Sequence, residues 1–438
     1  MPLVDPVIVV PGITATYLRD DYRLPPEVVW SVLTKDFPRS TLHPDDLRYD
    51  MQEPARVRAD QVFELAYKEL INELRYNLSP AEDQPVPVYP FGYDWRHPLE
   101  KIEADLADFI REVIERTSLL RHYAADGYGK ARPGKVNLVG HSMGGLIIAG
   151  YLDSHGGDKR VKKVASLASP FWGSQEAVLK IAVGTANMGA GDASSREREA
   201  TRVTPALYHL IPSYDGAVIP PSGLPPDMFD RALWQPEIEQ ALVSFIRING
   251  LTPANAAIQA PELFAALLAK ARTHRRRIER LDLEKAGLTA NDWLCVVGVD
   301  SETRVQLKVE RNAQGAIDFD LSSEARLNQW GDETPARRVN TGDGTVPFLG
   351  AIPGFLPLSS LVCIRPDDFA YYEVGDIALS KVAGFHGILP NMDMLQRLVV
   401  RHFKGSPDPR KGTWGRPAPN LPTGTAWTPP IPNLAYKP

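Results

Sequence analysis

The five residues Gly140-His141-Ser142-Met143-Gly144 fit the pattern G-x-S-x-G. The apolar run before them predicts a buried strand, and the small and apolar residues after them predict a helix. A serine on such a turn is held in a strained backbone conformation that exposes its hydroxyl, while small residues two positions away let neighbouring chain pass close by. This context favours a nucleophilic Ser142 over a serine in an ordinary glycine-rich loop.

A nucleophilic serine needs a histidine to take its proton. Of the nine histidines, only His386 and His402 lie in the last sixth of the chain. His386 stands in a glycine-containing loop, whereas His402 lies at the end of a predicted helix, where a histidine commonly faces solvent or caps carbonyls. We therefore predict that His386 is the base. The alternative is a loop histidine that makes only a structural hydrogen bond.

The base needs a carboxylate to orient it, and two aspartates compete for this role. Asp300 ends a predicted strand, and Asp343 lies in the stretch NTGDGTVPFLGA, with a glycine on each side. A tight loop of this kind can bring a carboxylate into a site, so the sequence favours Asp343. The same composition is also typical of an Asx-turn, which needs no catalytic role.

An oxyanion hole needs backbone N–H groups aimed at developing negative charge. One is predicted from Met143, directly after the nucleophile, and the second from Ile13 in the loop that follows the first strand. The preceding Pro11-Gly12 could equally form a simple turn. His141 is also adjacent to the nucleophile, but neighbours on a sharp turn point apart. We expect His141 to pack beneath the turn instead.

The elements that must position these residues can be read from hydrophobic periodicity. Strands are predicted at 6–13, 85–96, 135–140, 161–170, 292–300, 304–310 and 360–366, and helices at 99–117, 236–248, 261–283 and 391–403. Alternation of strands and helices predicts an α/β fold, with a mostly parallel central sheet and helices on both faces.

The strand pattern is interrupted by a largely helical stretch, which predicts a cap over the carboxyl edge of the sheet. We divide the chain into a first core part with the nucleophile at 1–174, a cap or lid insertion at 175–290, and a second core part with acid and base at 291–404. The last segment, 405–438, contains nine prolines and is predicted to be an extended arm along the surface or a disordered tail.

Composition excludes several other classes of function. A formal net charge of -5 gives no overall attraction to nucleic acid or anionic membrane. Cys295 and Cys363, the only cysteines, stand in apolar runs and are predicted to be buried strand residues rather than a disulfide framework. We find no metal-binding pattern and expect no cofactor. The start of the chain lacks the features of a signal peptide, so we expect a soluble, cytoplasmic protein, with signal-independent export left open.

Two further segments have alternative interpretations. The stretch ARTHRRRIER at 271–280 could bind phospholipid headgroups during a transient membrane contact, or could be a solvated helix face paired with nearby acids. The stretch at 205–221 mixes aromatic and apolar residues with proline, which suits either a flap over an acyl site or half-buried packing.

With these residues assembled, the chain resembles the lecithin:cholesterol acyltransferase family of α/β-hydrolases. The resemblance rests on VIVVPGITATYL at 7–18, FGYDWRHPLEKIEADL at 91–106, VNLVGHSMGGLIIAGYL at 136–152, VASLASPFWGSQEAV at 164–178, NTGDGTVPFLGA at 340–351 and GFHGILPN at 384–391. These segments follow the family's order and cover most of the core but not the cap. The YDWR and SPFWGS elements are fairly specific to the family.

The resemblance implies an α/β-hydrolase fold with the triad Ser142, Asp343 and His386, and an oxyanion hole at Ile13 and Met143. It implies a mobile lid at about 180–235, and structural roles beside the site for the residues of the YDWR element, which are Tyr93, Asp94, Trp95 and Arg96. The sequence also departs from the family. It lacks the cysteine pair that pins the lid of extracellular relatives, and the membrane-docking part of the animal enzymes has no clear counterpart.

These observations predict a serine-dependent hydrolase of lipid-like carboxylic esters that works through an acyl-enzyme. An acyltransferase that passes the acyl group to an alcohol is the first alternative. A non-catalytic binding protein with this fold and a toxin-like lipase delivered to other cells are further alternatives. The expected partner is a lipid or other ester substrate, with no nucleic acid, and the oligomeric state stays open.

Overall fold

The computed structural model describes residues 3–184, 195–321, 341–408 and 411–437. The strands within these ranges are β1 (Val7–Val10), β2 (Thr16–Asp20), β3 (Glu27–Trp30), β4 (Leu42–His43), β5 (Asp46–Asp50), β6 (Val57–Val62), β7 (Val88–Pro90), β8 (Val136–His141), β9 (Val161–Leu167), β10 (Val218–Ile219), β11 (Trp293–Gly298), β12 (Leu307–Arg311), β13 (Ile317–Asp320), β14 (Val362–Ile364), β15 (Trp414–Gly415) and β16 (Ala435–Tyr436).

The α-helices of the described ranges vary widely in length. They are α1 (Phe37–Ser40), α2 (Glu64–Leu78), α3 (Leu99–Ser118), α4 (Arg121–Ala125), α5 (Met143–His155), α6 (Gln175–Val183), α7 (Ser195–Arg202), α8 (Pro205–Tyr208), α9 (Pro236–Asn249), α10 (Ala256–Glu279), α11 (Phe348–Ala351), α12 (Val374–Ala383), α13 (Phe385–Ile388) and α14 (Asp393–Lys404).

A parallel six-stranded sheet in the order β14-β11-β9-β8-β1-β7 forms the centre of the fold. Every residue of β1 and β8 is buried, because parallel strands are covered on both faces. Helices α3 and α5 pack on one face, and α2 and α14 pack on the other. The predicted mostly parallel sheet with helices on both faces is therefore confirmed.

A separate apolar cluster lies in the cap, where α6, α8, α9 and α10 contribute buried residues. The strand predicted at 304–310 is β12, and it does not join the central sheet. It pairs with β10 and β13 in a small sheet of its own. The reason is that Leu307, Val309 and Phe319 of this hairpin bury their side chains among the cap helices.

The C-terminal segment runs along the edge of the central sheet. Backbone hydrogen bonds of 2.8 and 3.1 Å join Cys363 in β14 to Arg416. The Arg416 guanidinium binds the buried carboxylate of Asp368. This segment therefore covers backbone groups of an edge strand that would otherwise be open to pairing. Cys295 and Cys363 are both free and buried in central strands, as predicted.

Candidate active site

Ser142 lies between β8 and α5 with φ 53° and ψ −128°. A non-glycine residue in this region carries strain of about 1–3 kcal/mol, which the surrounding packing must hold in place. The glycines two positions before and after Ser142 make this close packing possible. A Cβ on Gly144 would lie 2.2 Å from the carbonyl oxygen of Val10, and one on Gly140 would lie 2.7 Å from the backbone of Gly144. Only glycine lets the strand, the turn and the helix approach this closely.

A chain of hydrogen bonds joins the three residues that the sequence singled out. Ser142 Oγ lies 2.9 Å from His386 Nε2, and His386 Nδ1 lies 2.7 Å from Asp343 Oδ2. All three residues are buried, Asp343 most completely. The carboxylate is an acceptor only, so Nδ1 carries the proton and Nε2 is free to accept one from the serine.

The Asp343 loop holds its carboxylate firmly. Its Oδ1 accepts hydrogen bonds from the backbone N–H groups of Thr345 at 3.0 Å and Val346 at 2.7 Å. Its carbonyl accepts one from His386 N at 3.1 Å. The two interpretations of this aspartate therefore coincide, because one carboxylate oxygen closes an Asx-turn and the other reaches the histidine. The competing Asp300 lies against Arg365 instead, at 2.5 Å.

His402 has a different environment from that of His386. Its side chain is 1% exposed, and its ring nitrogens lie 3.2 Å from the carbonyl oxygens of Pro430 and Asp292. Burial lowers the pKa of His402 to about 4. Of the two environments expected for His402, solvent or carbonyl groups, the structure shows carbonyl groups, because the C-terminal segment folds over the end of α14.

The loop after β1 lies directly against the nucleophile. A Cβ on Gly12 would lie 3.0 Å from Ser142 Cβ, a tight contact, so this position favours glycine. The next residue, Ile13, lines the cavity above the serine. Met143 is the first residue of α5, where backbone N–H groups have no acceptor within the helix and the helix dipole favours negative charge. The two predicted oxyanion residues thus flank Ser142.

The sequence did not reveal Tyr67, which lies beneath the turn. Its phenol oxygen accepts a hydrogen bond from Gly12 N at 2.9 Å and lies 2.8 Å from His141 Nδ1. The other ring nitrogen of His141 lies 3.0 Å from the carbonyl oxygen of His386. His141 is buried beneath the turn, and burial together with the neighbouring His386 lowers its pKa well below the usual value. In sequence, Tyr67 is one more apolar position of an amphipathic helix.

A cavity of about 440 Å³ opens above Ser142. Its wall is largely apolar, and it includes Trp30, Phe37, Phe63, Trp95, Ala177, Leu207 and Leu210. Charged groups line another part of the wall, namely Glu176, Lys180 and Glu197. Burial lowers the pKa of Lys180 and raises that of Glu197. The cavity can therefore accept a molecule with both an apolar and a polar portion.

The YDWR element supports one wall of this cavity. Arg96 is 1% exposed and pairs through both sides of its guanidinium, with Asp94 at 2.6 Å and Asp50 at 2.6 Å. Burial tends to raise the pKa of Asp94, but Arg96 outweighs it and the pKa is lowered. The buried ion pairs hold Trp95, which lines the cavity beside Trp30.

The arginine-rich segment 271–280 has one buried arginine, Arg275, two partly buried ones, Arg272 and Arg277, and two exposed ones, Arg276 and Arg280. Arg272 pairs with Asp227, Arg277 pairs with Glu103, and the buried Arg275 donates to the carbonyl oxygens of His209 and Ile211. Two of the arginines are therefore paired, but their partners Asp227 and Glu103 lie far away in sequence and are not the nearby acids that the sequence suggested. In 205–221, Leu207 and Leu210 line the cavity, while Tyr208 and Ile211 are buried in the cap.

The predicted lid, 180–235, includes residues 185–194, which lie outside the described ranges. Within the described ranges, helices α6 and α7 of this segment contact each other, and α7 contacts α1. Among the described residues, no group of acidic, histidine or cysteine side chains is suited to a metal ion. In the same residues no helix combines the length and hydrophobicity needed to cross a membrane.

Comparison with known proteins supports the fold and the family resemblance. Residues 67–237 match the model of the lecithin:cholesterol acyltransferase family, which confirms the predicted resemblance over that part of the chain. The structure is similar to a chain of the crystal structure of the Tle4–Tli4 complex, with a TM-score of 0.62 and 16% sequence identity over 91% of this chain and 98% of that chain. No curated protein matches. The predicted α/β-hydrolase fold class is confirmed, and the family match supports an enzyme that acts on lipid esters.

Proposed function

We propose that this protein is a serine hydrolase that cleaves lipid-like carboxylic esters through an acyl-enzyme intermediate. The observation that carries the proposal is the continuous hydrogen-bonded chain from Ser142 through His386 to Asp343. It begins at a strained turn next to an apolar cavity. A serine, a base and an orienting carboxylate in this arrangement are what nucleophilic acyl transfer requires.

The first half of the reaction forms the acyl-enzyme. As Ser142 Oγ attacks the ester carbonyl carbon, its proton passes to His386 Nε2. Asp343 stabilises the resulting imidazolium through Nδ1–H, and the backbone N–H groups of Ile13 and Met143 bind the oxyanion. The tetrahedral intermediate then collapses, the bond to the leaving alcohol breaks, and His386 returns the proton to that alcohol.

The second half releases the acyl group. His386 takes a proton from water, the water oxygen attacks the acyl-enzyme carbonyl, and collapse regenerates the Ser142 hydroxyl with a free carboxylic acid. An acceptor alcohol in place of water would give an ester product by the same steps. The match to a family named for acyl transfer favours this second candidate function, so both acceptors are to be tested.

The deciding experiment uses a fluorophosphonate probe and p-nitrophenyl esters of increasing acyl length, with and without lipid vesicles and added alcohols. We expect wild type to label and to turn over esters, and Ser142→Ala to do neither. Ser40→Ala is a matched control, because Ser40 also lines the cavity but donates to the carbonyl oxygen of Asp36. Wild type that neither labels nor turns over any ester would replace this proposal with the non-catalytic binding fold.

A further inference from the structure

The catalytic groups lie on three separate segments that share one hydrogen-bonded link. Tyr67 on α2 contacts the loop of Gly12, and His141 at the end of β8 contacts the carbonyl of His386. The contact between the Tyr67 phenol and the His141 ring, at 2.8 Å, closes the link. Three points of this link are next to proposed reacting groups. Gly12 precedes Ile13, His141 precedes Ser142, and the carbonyl belongs to the base itself.

The direction of every hydrogen bond in this link follows from two groups, one that can only donate and one that can only accept. The N–H of Gly12 can only donate, so the phenol oxygen accepts from it. The carbonyl of His386 can only accept, so His141 carries its proton on Nε2 and its Nδ1 is an acceptor. The phenol hydrogen therefore points at Nδ1. Burial raises the pKa of Tyr67, which keeps this hydrogen in place.

We propose that Tyr67 and His141 are positioning residues. They hold the loop of Ile13, the turn of Ser142 and the segment of His386 in fixed positions relative to one another for catalysis. The proposal rests on the proposed function, because it assigns these two side chains to the same acyl-transfer site. Neither residue touches the reacting atoms through its hydrogen bonds. Their effect is to fix the separation between Ile13, Ser142 and His386.

The link also requires that His141 stay neutral. A proton on Nδ1 would face the phenol, whose oxygen would then accept two hydrogen bonds and leave its own hydrogen without an acceptor. The ring centroids of His141 and His386 are 5.0 Å apart. A cation on His141 would therefore oppose the imidazolium that forms on His386 during the reaction.

The chain offers a matched comparison for Tyr67 in Tyr93. Both phenols are buried and both bind the loop after β1, since Tyr93 donates to the carbonyl oxygen of Pro11 at 2.7 Å. Tyr93 makes no hydrogen bond to His141 in the described structure, so its phenol lies outside the link. Replacing either tyrosine by phenylalanine removes one buried phenol oxygen, but only Tyr67→Phe opens the link.

The kinetic test measures kcat and KM for an ester that wild type turns over. Misplacing a catalytic group by about 1 Å lowers the rate by about 10²-fold. We therefore expect kcat of Tyr67→Phe to fall by about 10- to 100-fold, while its KM changes by less than about 3-fold. For Tyr93→Phe we expect kcat to change by less than about 3-fold. His141→Gln keeps an amide N–H for the His386 carbonyl and should retain more activity than His141→Ala. Equal kcat for Tyr67→Phe and Tyr93→Phe would overturn the proposal.

A second measurement needs no variant and no activity. The ¹⁵N shifts of the His141 ring in the wild-type protein distinguish the two neutral tautomers from the imidazolium, and we expect the Nε2–H tautomer at pH 7. Finding the Nδ1–H tautomer or the imidazolium would refute the link even if the variants fail to fold. If wild type shows no turnover that depends on Ser142, the proposed function is refuted instead. Failure of the link and failure of the proposed function are therefore distinguishable.

Discussion

Two pairs of buried histidines lie in different parts of this molecule. In the candidate active site, the rings of His141 and His386 are 5.0 Å apart. Where the cap meets the core, the rings of His209 and His274 are 4.7 Å apart. All four side chains are at least nine-tenths buried. The two pairs differ in how their ring nitrogens are bonded, and we expect this difference to separate residues that affect catalysis from residues that affect stability.

In the active-site pair, every ring nitrogen has a partner. His141 contacts Tyr67 and the His386 carbonyl, and His386 contacts Asp343 and Ser142. Partners at both nitrogens fix the tautomer and the orientation of each ring, which a general base needs before substrate arrives. The bonding of this pair therefore fits the proposed roles of His386 as base and His141 as a positioning residue.

In the cap pair, Nδ1 of His209 and of His274 has no hydrogen-bond partner among the described residues. Nε2 of His274 lies 2.6 Å from Glu103, and Nε2 of His209 lies 3.7 Å from Glu100. Arg277 also binds the Glu103 carboxylate. This cluster joins α3 of the core to α10 of the cap through buried charge. Changes in the first pair should alter catalysis, and changes in the second should alter stability.

The largest effect is expected when the base loses the partner at its Nδ1. Asp343→Asn leaves the shape of the loop almost unchanged but replaces an acceptor with an amide that can hold His386 in the wrong tautomer. From the corresponding change in serine proteases we expect kcat to fall by about 10⁴-fold. Steady-state kinetics with the preferred p-nitrophenyl ester would measure it.

Asp300→Asn is the matched control, because it removes the carboxylate of the competing aspartate, which pairs with Arg365. We expect its kcat to stay within about 3-fold of wild type, since this exposed ion pair lies outside the triad. A 10⁴-fold loss in Asp300→Asn with an active Asp343→Asn would reverse the assignment.

The next effect tests the cap pair. Glu103→Ala leaves His274 and Arg277 without their shared buried carboxylate. Breaking a buried ion pair by removing one partner costs about 3–5 kcal/mol, so the free energy of unfolding should fall by that amount, while kcat per folded molecule stays within about 3-fold. Urea denaturation and kinetics on the same sample would measure both.

Glu100→Ala serves as the comparison, because Glu100 is more exposed and lies farther from its histidine. Surface pairs contribute about 0–1 kcal/mol, and its loss should be correspondingly small. Equal losses of stability from the two variants would show that burial of the Glu103 cluster has no special part in joining cap and core.

The site residues differ in how strongly the sequence could indicate them. The turn at Ser142 is a local constraint, because the glycines at 140 and 144 are required by atoms within the same strand–turn–helix unit and its neighbouring strand. A local constraint of this kind leaves a pattern in consecutive residues. Asp300 follows β11 and Asp343 lies in a loop, and only the tertiary path of the chain decides which of them reaches His386.

Long-range contacts are the features that were hardest to predict from the sequence. Tyr67 and His141 are 74 positions apart, and the tyrosine occupies an apolar position of an ordinary amphipathic helix. The alternating pattern of β12 predicted a strand correctly but could not say which sheet it joins, because β propensity reflects burial on one face and not the identity of the partner. The burial of His402 depends likewise on the C-terminal segment that covers it.

The smallest effect concerns the stability of the protein at acidic pH, and it sharpens the contrast between the two histidine pairs. Burial, with Arg277 and Arg275 nearby, lowers the pKa of His274 well below its unfolded value, and burial with His274 nearby does the same for His209. Below about pH 6.5 the unfolded chain therefore binds protons that the folded chain does not, and stability falls with pH by about 1.4 kcal/mol per unit for each such histidine. The stabilisation is fully present above that pH.

His274→Gln should remove one of these contributions, because the amide can still donate to Glu103 but does not titrate. We expect the loss of unfolding free energy between pH 6.5 and 5.5 to be about 1 kcal/mol smaller in the variant than in wild type. Burial raises the pKa of Glu103 and acts in the opposite direction, so the difference between the two proteins isolates the histidine. Urea titrations at several pH values would measure it. Parallel curves for the two proteins would mean that His274 is already protonated in the folded state, and its bond to Glu103 would then be an ion pair.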